Sequence, residues 1–291
     1  MRNALIYYYD MYCNDIIKSN GNYKIIIDDS LYYLVKYDGN ISLLNHIYDY
    51  LINHNIYCHE IVLNKTRTYI TNIDNNNYIL IKIYCKIDKI NYLDIVNYNI
   101  IVGKNKCNWK QLWINKIDYY EYQMNQFRKK YPVLYSSFEY YSGMTESAIM
   151  LVGMVDKKML DTYIEHNRIY KNSSNLDFYN PLNMIIDVRV RDIAEYFKQQ
   201  FFYVSNPLIN VKNYLDYTKL SNEETALFLA RLVYPSYYFD AYDEIIQGNV
   251  SEDKINIIIG KANEYEEFIK EIYAYIKTKY QIPEIEWLIE I

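Results

Sequence analysis

Four charged side chains, Asp187, Arg189, Arg191 and Asp192, fall within six residues, directly after the apolar run at residues 184–186. Two carboxylates and two guanidiniums at this spacing can pair bidentately, and such pairs hold a turn in one geometry. That chemistry suits two roles: a structural ion-pair turn or a charged, ligand-facing site. Charge clusters of this kind occur in both settings, so residue types alone leave both open. A second polar group precedes the turn, made of His166, Arg168, Asp177 and Asn183. Arg168, with Arg191, can hold a phosphate or carboxylate, or it can neutralise Asp187 and Asp192. The second arrangement needs no ligand and is the one expected.

The elements that must position these groups are legible from period and punctuation. Residues 23–27 and 31–37 are β-rich, joined by Asp28-Asp29-Ser30 and closed by Asp38-Gly39. This predicts a hairpin with Lys36 near the end of its second strand. Ile41, Leu44, Ile47, Tyr48, Leu51 and Ile52 recur at helical spacing and put Asp49 on a helix that ends at Asn53-His54-Asn55. Residues 61–63, 69–72 and 78–84 read as further strands, and residues 5–17 as a short helix or an edge strand, with the helix preferred. From Cys107 onward the pattern turns helical. Trp109, Leu112, Trp113, Ile117, Tyr120, Met124 and Phe127 share one face over residues 109–130, and a second helix is expected over 140–155, with Thr145 and Glu146 near its start. A third covers 193–202. Ser221-Asn222-Glu223-Glu224 is a capping box for a helix stopped by Pro235. Ser251 is expected to cap another, and Tyr265, Phe268, Ile269, Ile272, Tyr273 and Ile276 form the last amphipathic face. Strands followed by helices predict an α+β chain: a small antiparallel-sheet lobe over residues 1–86 and a mostly helical lobe over 87–291.

Composition narrows the function classes. The 291 residues include 51% hydrophobic side chains, ample for a core, and a net charge of −5 with scattered basic residues. Neither a nucleic-acid stripe nor a membrane-surface patch is indicated. The 38 tyrosines are conspicuous; A/T-rich codons account for them more simply than a tyrosine-rich contact surface does. Cys13, Cys58, Cys85 and Cys107 stand far apart with no C-x-x-C pair, which fits reduced, mostly buried thiols in a cytosolic protein. No signal-peptide pattern opens the chain, and the apolar stretch at 148–155 is too short to span a bilayer. A cytoplasmic location is expected.

Particular segments go further. Trp109 to Trp113 with Asp118-Tyr119-Tyr120-Glu121, then Tyr140-Tyr141-Ser142-Gly143-Met144-Thr145-Glu146, resemble the spore-coat kinase-like proteins of the CotS and YutH type. So do His166-Asn167-Arg168, Pro181 and the run from Asp187 through Arg191-Asp192-Ile193-Ala194-Glu195-Tyr196. The resemblance covers nearly the whole chain. It implies a two-lobed protein-kinase-like fold of the aminoglycoside-phosphotransferase kind, a protein partner in a coat or scaffold assembly, and a spore-coat location if the source organism sporulates.

It also implies which parts phosphoryl transfer would need: a strand lysine for the phosphates, an aspartate for the attacking hydroxyl, and an asparagine and a second aspartate for magnesium. Lys36 stands where the strand lysine belongs, and Asp49 is the only carboxylate its following helix offers. Active relatives carry His-Gly-Asp with an asparagine five residues on. Here that loop reads His166-Asn167-Arg168 with Ser173, so a guanidinium with five donors and no acceptor replaces the carboxylate. An alternative places Asp177, Asn183 and Asp187 as base and metal ligands, but the Asp177–Asn183 spacing is one residue too long and no hairpin fits before Asp187. A protein without phosphoryl transfer is therefore expected, needing no cofactor. ATP with magnesium is the ligand to test, and a divergent small-molecule phosphotransferase or a nucleotide or phosphometabolite sensor is the alternative.

Overall fold

A computed structural model describes residues 1–13, 15–19, 21–84, 87–155, 158–170 and 172–289. Cys85 and the expected boundary at Lys86 lie outside the described residues. The backbone divides into two compact units, one of residues 1–90 with 172–185, the other of 91–171 with 186–291.

The first unit begins with α1 (Arg2–Tyr9), β1 (Asp15–Ser19), β2 (Asn22–Ile27), β3 (Ser30–Lys36), α2 (Ile41–Asn53), β4 (Glu60–Val62), β5 (Ile70–Ile73) and β6 (Asn76–Ile83). The strands form one antiparallel sheet ordered β1-β2-β3-β6-β4, with β5 also paired to β6. The hairpin turns are chemically specified. Asp28 and Asp29 between β2 and β3, and Asp74 and Asn75 between β5 and β6, all have positive φ. Two successive left-handed residues match the twist of a two-residue hairpin, and Asp and Asn adopt that region more readily than other side chains with a Cβ. β6 is central and buried on both faces. Tyr78 and Leu80 pack with Leu5, Ile25, Tyr32 and Leu34, while Ile79, Ile81 and Ile83 pack with Leu44, Tyr48 and Ile61. Alternation thus gives α1 one face of the sheet and α2 the other. The helix expected over residues 5–17 is cut short: α1 ends at Tyr9, Asp10 turns left-handed at φ 56°, and residues 15–19 become an edge strand on β2. Local spacing there was mixed, and hydrogen bonding to β2 decides it.

The second unit holds α3 (Tyr92–Asn97), β7 (Ile101–Lys106), α4 (Trp109–Phe127), α5 (Pro132–Gly153) and β8 (Met159–His166). The chain then adds α6 (Asn175–Phe178) and a 3-10 turn (Pro181–Asn183) to the first unit before β9 (Met184–Asp187). After it come α7 (Val190–Tyr203), α8 (Leu208–Tyr217), α9 (Asn222–Val233), α10 (Ser236–Ile246), α11 (Lys254–Gly260), α12 (Ala262–Lys277) and α13 (Glu286–Ile289). α5 starts at Pro132 rather than at residue 140, because a proline at the first helical position loses no hydrogen bond and brings a preset φ. β7 pairs antiparallel with β8 across the α4–α5 hairpin, Ile101 opposite Tyr163, and is a mostly exposed strand without the alternating apolar pattern of a half-buried one. Ser221 and Glu224 form the expected capping box of α9. Ser251 accepts from the Asp253 amide at 3.3 Å in the turn before α11, where Asp253, not Ser251, is the helix-capping position. Among the described residues, no helix is long and apolar enough to cross a membrane.

Many tyrosines belong to this core. Tyr141 stacks on Tyr238 at 3.9 Å and Tyr120 on Phe239 at 4.6 Å between ring centroids, while Phe202, Tyr237 and Tyr265 pack against one another. Cys13, Cys58 and Cys107 are free thiols, and burial pushes Cys58 up to about 11.

Candidate functional site

In the second unit, β8 ends at His166, β9 ends at Asp187 and α7 begins at Val190, so His166 of the second polar group meets Asp187, Arg191 and Asp192 of the turn where these ends converge. Asp187 Oδ2 accepts from Trp109 Nε1 and from Arg191 Nη1, both at 2.9 Å, and its Oδ1 accepts from the Val188 amide at 2.8 Å. Arg191 also donates from Nε to the His166 carbonyl at 3.1 Å and from Nη2 to the Asn167 carbonyl at 3.2 Å. Its guanidinium thereby ties α7 to the end of β8.

Asp192 serves a different partner. It is buried, accepts the His166 amide on both oxygens at 3.0 Å, and meets His166 Nδ1 at 2.5 Å. Its own amide donates to Glu165 Oε2 at 3.0 Å. Burial first, and then the adjacent Asp192 carboxylate, push Glu165 well above the usual carboxylate range. Arg189 leaves the turn altogether, pairing with Glu224 at 2.6 Å and donating to the Lys219 carbonyl at 2.8 Å. Of the four charges in the turn, only Asp187 and Arg191 pair with each other.

Arg168 neutralises neither Asp187 nor Asp192. Its Nη2 lies 2.8 Å from Asp240 Oδ1, a carboxylate of α10. The pair borders a cavity of about 280 Å³ lined by Trp109, Trp113, Lys116, Asn167, Arg191 and Arg231 among others. Behind it Arg231 sits 5.0 Å from the Trp109 ring and 5.8 Å from Trp113, with Trp113 stacked on Tyr234 at 4.3 Å. Arg231 Nε pairs with Glu195 at 2.6 Å, and Glu195 also receives Lys198 Nζ and Ser236 Oγ, each at 2.8 Å. Burial alone would raise the Glu195 carboxyl, but Lys198 and Arg231 together hold it well below the usual range. The same burial, with Arg231 nearby, brings Lys198 down to about 8 even though Glu195 opposes that change. One carboxylate shared by two cations leaves the site positive.

The remaining sequence candidates lie in the first unit, each with local partners. Lys36 Nζ is 3.5 Å from Asp38. Asp49 accepts from Tyr69 OH at 3.3 Å. Asp177 closes the capping box of α6, accepting from the Ser174 amide at 3.2 Å, and Asn183 Nδ2 reaches the Asp177 carbonyl at 3.5 Å. Lys116, Asp240, Glu165 and the Glu195–Lys198–Arg231 cluster escaped sequence reasoning. Glu195 and Lys198 do stand three residues apart on one helix, a spacing that announces a pair. Asp240 carried no such signal, because its partner lies 72 residues away in sequence.

The sequence matches the family described as "Spore coat putative kinase YutH" over residues 2–272. The "Endospore coat-associated protein YutH" of Bacillus subtilis (strain 168) is 25% identical over 222 residues, which are 66% of this chain and 64% of that protein, so the chain aligns with less than two thirds of that relative's length. Among solved structures, an aminoglycoside phosphotransferase from Alicyclobacillus acidocaldarius superposes with a TM-score of 0.65 at 8% identity, covering 96% of this chain and 97% of that one. A spectinomycin phosphotransferase in complex with ADP and spectinomycin gives a TM-score of 0.54 at 11% identity, covering 96% and 93%. At such identities the likeness is one of fold, and the fold is kinase-like, with an antiparallel sheet in the N-terminal part and helices in the C-terminal part.

Proposed function

The chain belongs to the spore coat YutH family, and from that premise we propose that it is a binding or scaffold protein that keeps a kinase-like fold without transferring phosphate. The observation carrying this reading is the Arg168–Asp240 ion pair. The loop residue two after His166 is a cation held at 2.8 Å by a carboxylate, so it offers no oxygen to orient a hydroxyl. Asp187 supports the same reading. Three of its roughly four acceptor positions are filled, one of them by a guanidinium, which makes a poor setting for a divalent cation. These residues do not fit magnesium-bound ATP, and the function needs no cofactor. Nor does the pocket fit the amine-rich substrates of an aminoglycoside phosphotransferase, since Lys116, Arg168 and Arg191 would repel them. The partner on this reading is a protein of the coat, reached from the cytoplasm, and neither nucleic acid nor membrane.

Thermal melting of the full chain with about 5 mM ATP and magnesium, alongside an ATP hydrolysis assay, tests the proposal. A ligand at a hundred times its Kd adds about 2.7 kcal/mol to the folded state, so even a Kd of about 50 µM would show. The expected result is no magnesium-dependent rise in melting temperature and no hydrolysis. Stabilisation with hydrolysis, both lost in Asp187→Asn, would overturn it.

A further inference from the structure

We propose that the cavity beside Arg168 binds the phosphate group of a small phosphomonoester. Cations reach it from three separate elements: Lys116 from α4, Arg168 from the loop after β8, and Arg191 from the start of α7. Donors converging from three directions suit a tetrahedral dianion better than a planar carboxylate, which one guanidinium can satisfy edge-on.

The charges lining the cavity are unevenly compensated. Arg191 has Asp187 and Arg231 has Glu195, while Lys116 makes no hydrogen bond or ion pair among the described residues. Asp240 is the one carboxylate lining the cavity among the described residues, and it is engaged by Arg168. Both side chains of that pair are about a third exposed, at 32% and 35%, so the pair can open to a ligand from the solvent side. A phosphate would then take the place of Asp240 on Arg168 and gain Lys116 as a second counter-charge.

The surroundings strengthen the attraction. Trp109, Trp113, Tyr234 and Phe239 are all buried and supply a low-dielectric wall, beside which charges act over longer distances than in water. Burial first, and then the neighbouring Arg168, hold the Lys116 ammonium below its ordinary value, against the opposing pull of Asp240 and Asp243. At about 280 Å³ the cavity exceeds what a phosphate ion alone would fill, leaving room for a short organic group.

Calorimetric titration of the full chain with inorganic phosphate, glycerol phosphate and acetate tests this without any nucleotide. Its failure therefore leaves the reading of a phosphotransfer-silent protein standing, and loss of that reading would leave this site intact. Both phosphates are expected to bind saturably, the ester more tightly, and acetate much more weakly. Lys116→Gln should weaken phosphate binding about tenfold, whereas Asp240→Asn, which removes the competing carboxylate, should tighten it about tenfold. The opposite signs keep the test decisive if one variant folds poorly. Absence of saturable binding up to about 20 mM phosphate, acetate binding as tightly as phosphate, or variants indistinguishable from the parent chain would overturn the assignment.

Discussion

Glu195→Gln is the perturbation with the largest consequence that the buried charges allow. Glu195 neutralises Lys198 and Arg231, whose side chains are 0% and 5% exposed. Removing one partner of a buried ion pair costs about 3–5 kcal/mol, because the surviving charge is left without compensation. Lys198 has an escape that limits the loss. Shedding its proton at pH 7 costs no more than about 5 kcal/mol relative to a free lysine near 10.5, and its folded value is already about 8. Arg231 has no such route. A loss of about 3–5 kcal/mol at pH 7 follows, or about 10 °C in melting temperature for a unit of this size. Urea unfolding followed by tryptophan fluorescence reads it directly, since Arg231 lies over Trp109 and Trp113. Lys198→Met should cost only about 1 kcal/mol, because Glu195 keeps Arg231 and Ser236 as partners. The pH dependence gives a second readout. Below pH 8 both the folded and unfolded chains carry the Lys198 proton, and its burial penalty is complete. Between about pH 8 and 10 the unfolded chain binds more protons, so this lysine's contribution makes stability rise with pH, and Lys198→Met should abolish the rise. A cost below about 1 kcal/mol for Glu195→Gln, or equal costs for the two variants, would refute the reasoning.

Two further outcomes follow from buried groups. Burial raises Tyr141, Tyr234, Tyr237, Tyr238 and Tyr265 above the ordinary tyrosine value of 10.0. The stability they contribute is complete below that value and lost as pH rises beyond it, so alkaline unfolding should be steep; tyrosinate absorbance from these residues should appear together with loss of helix signal, not before it. Asp192→Asn replaces one of two acceptor oxygens with a donor facing His166, and should cost about 2–4 kcal/mol in urea unfolding, while a loss under about 0.5 kcal/mol would show that the contact with His166 is not a stabilising one.

What the sequence alone determined is local. The hairpin of β2 and β3 was legible because strand period and two turn-forming aspartates are contiguous, and α2 because its apolar stripe repeats along the whole of a 13-residue helix. The α9 capping box needs only Ser221 and Glu224. That position 168 is an arginine, a guanidinium with donors and no acceptor, is likewise a one-position fact. Tertiary structure decided which charge meets which. Arg189, adjacent in sequence to the Asp187–Arg191 pair, goes 35 residues away to Glu224, and Arg168 goes to Asp240 on a helix that no local pattern connects with it. The β7–β8 hairpin was invisible for the same reason, since its strands are joined through two long helices. Period and capping act between residues a few positions apart, whereas a side chain reaches only a few ångströms. Its partner is therefore whichever opposite charge the packing of distant elements brings within that reach.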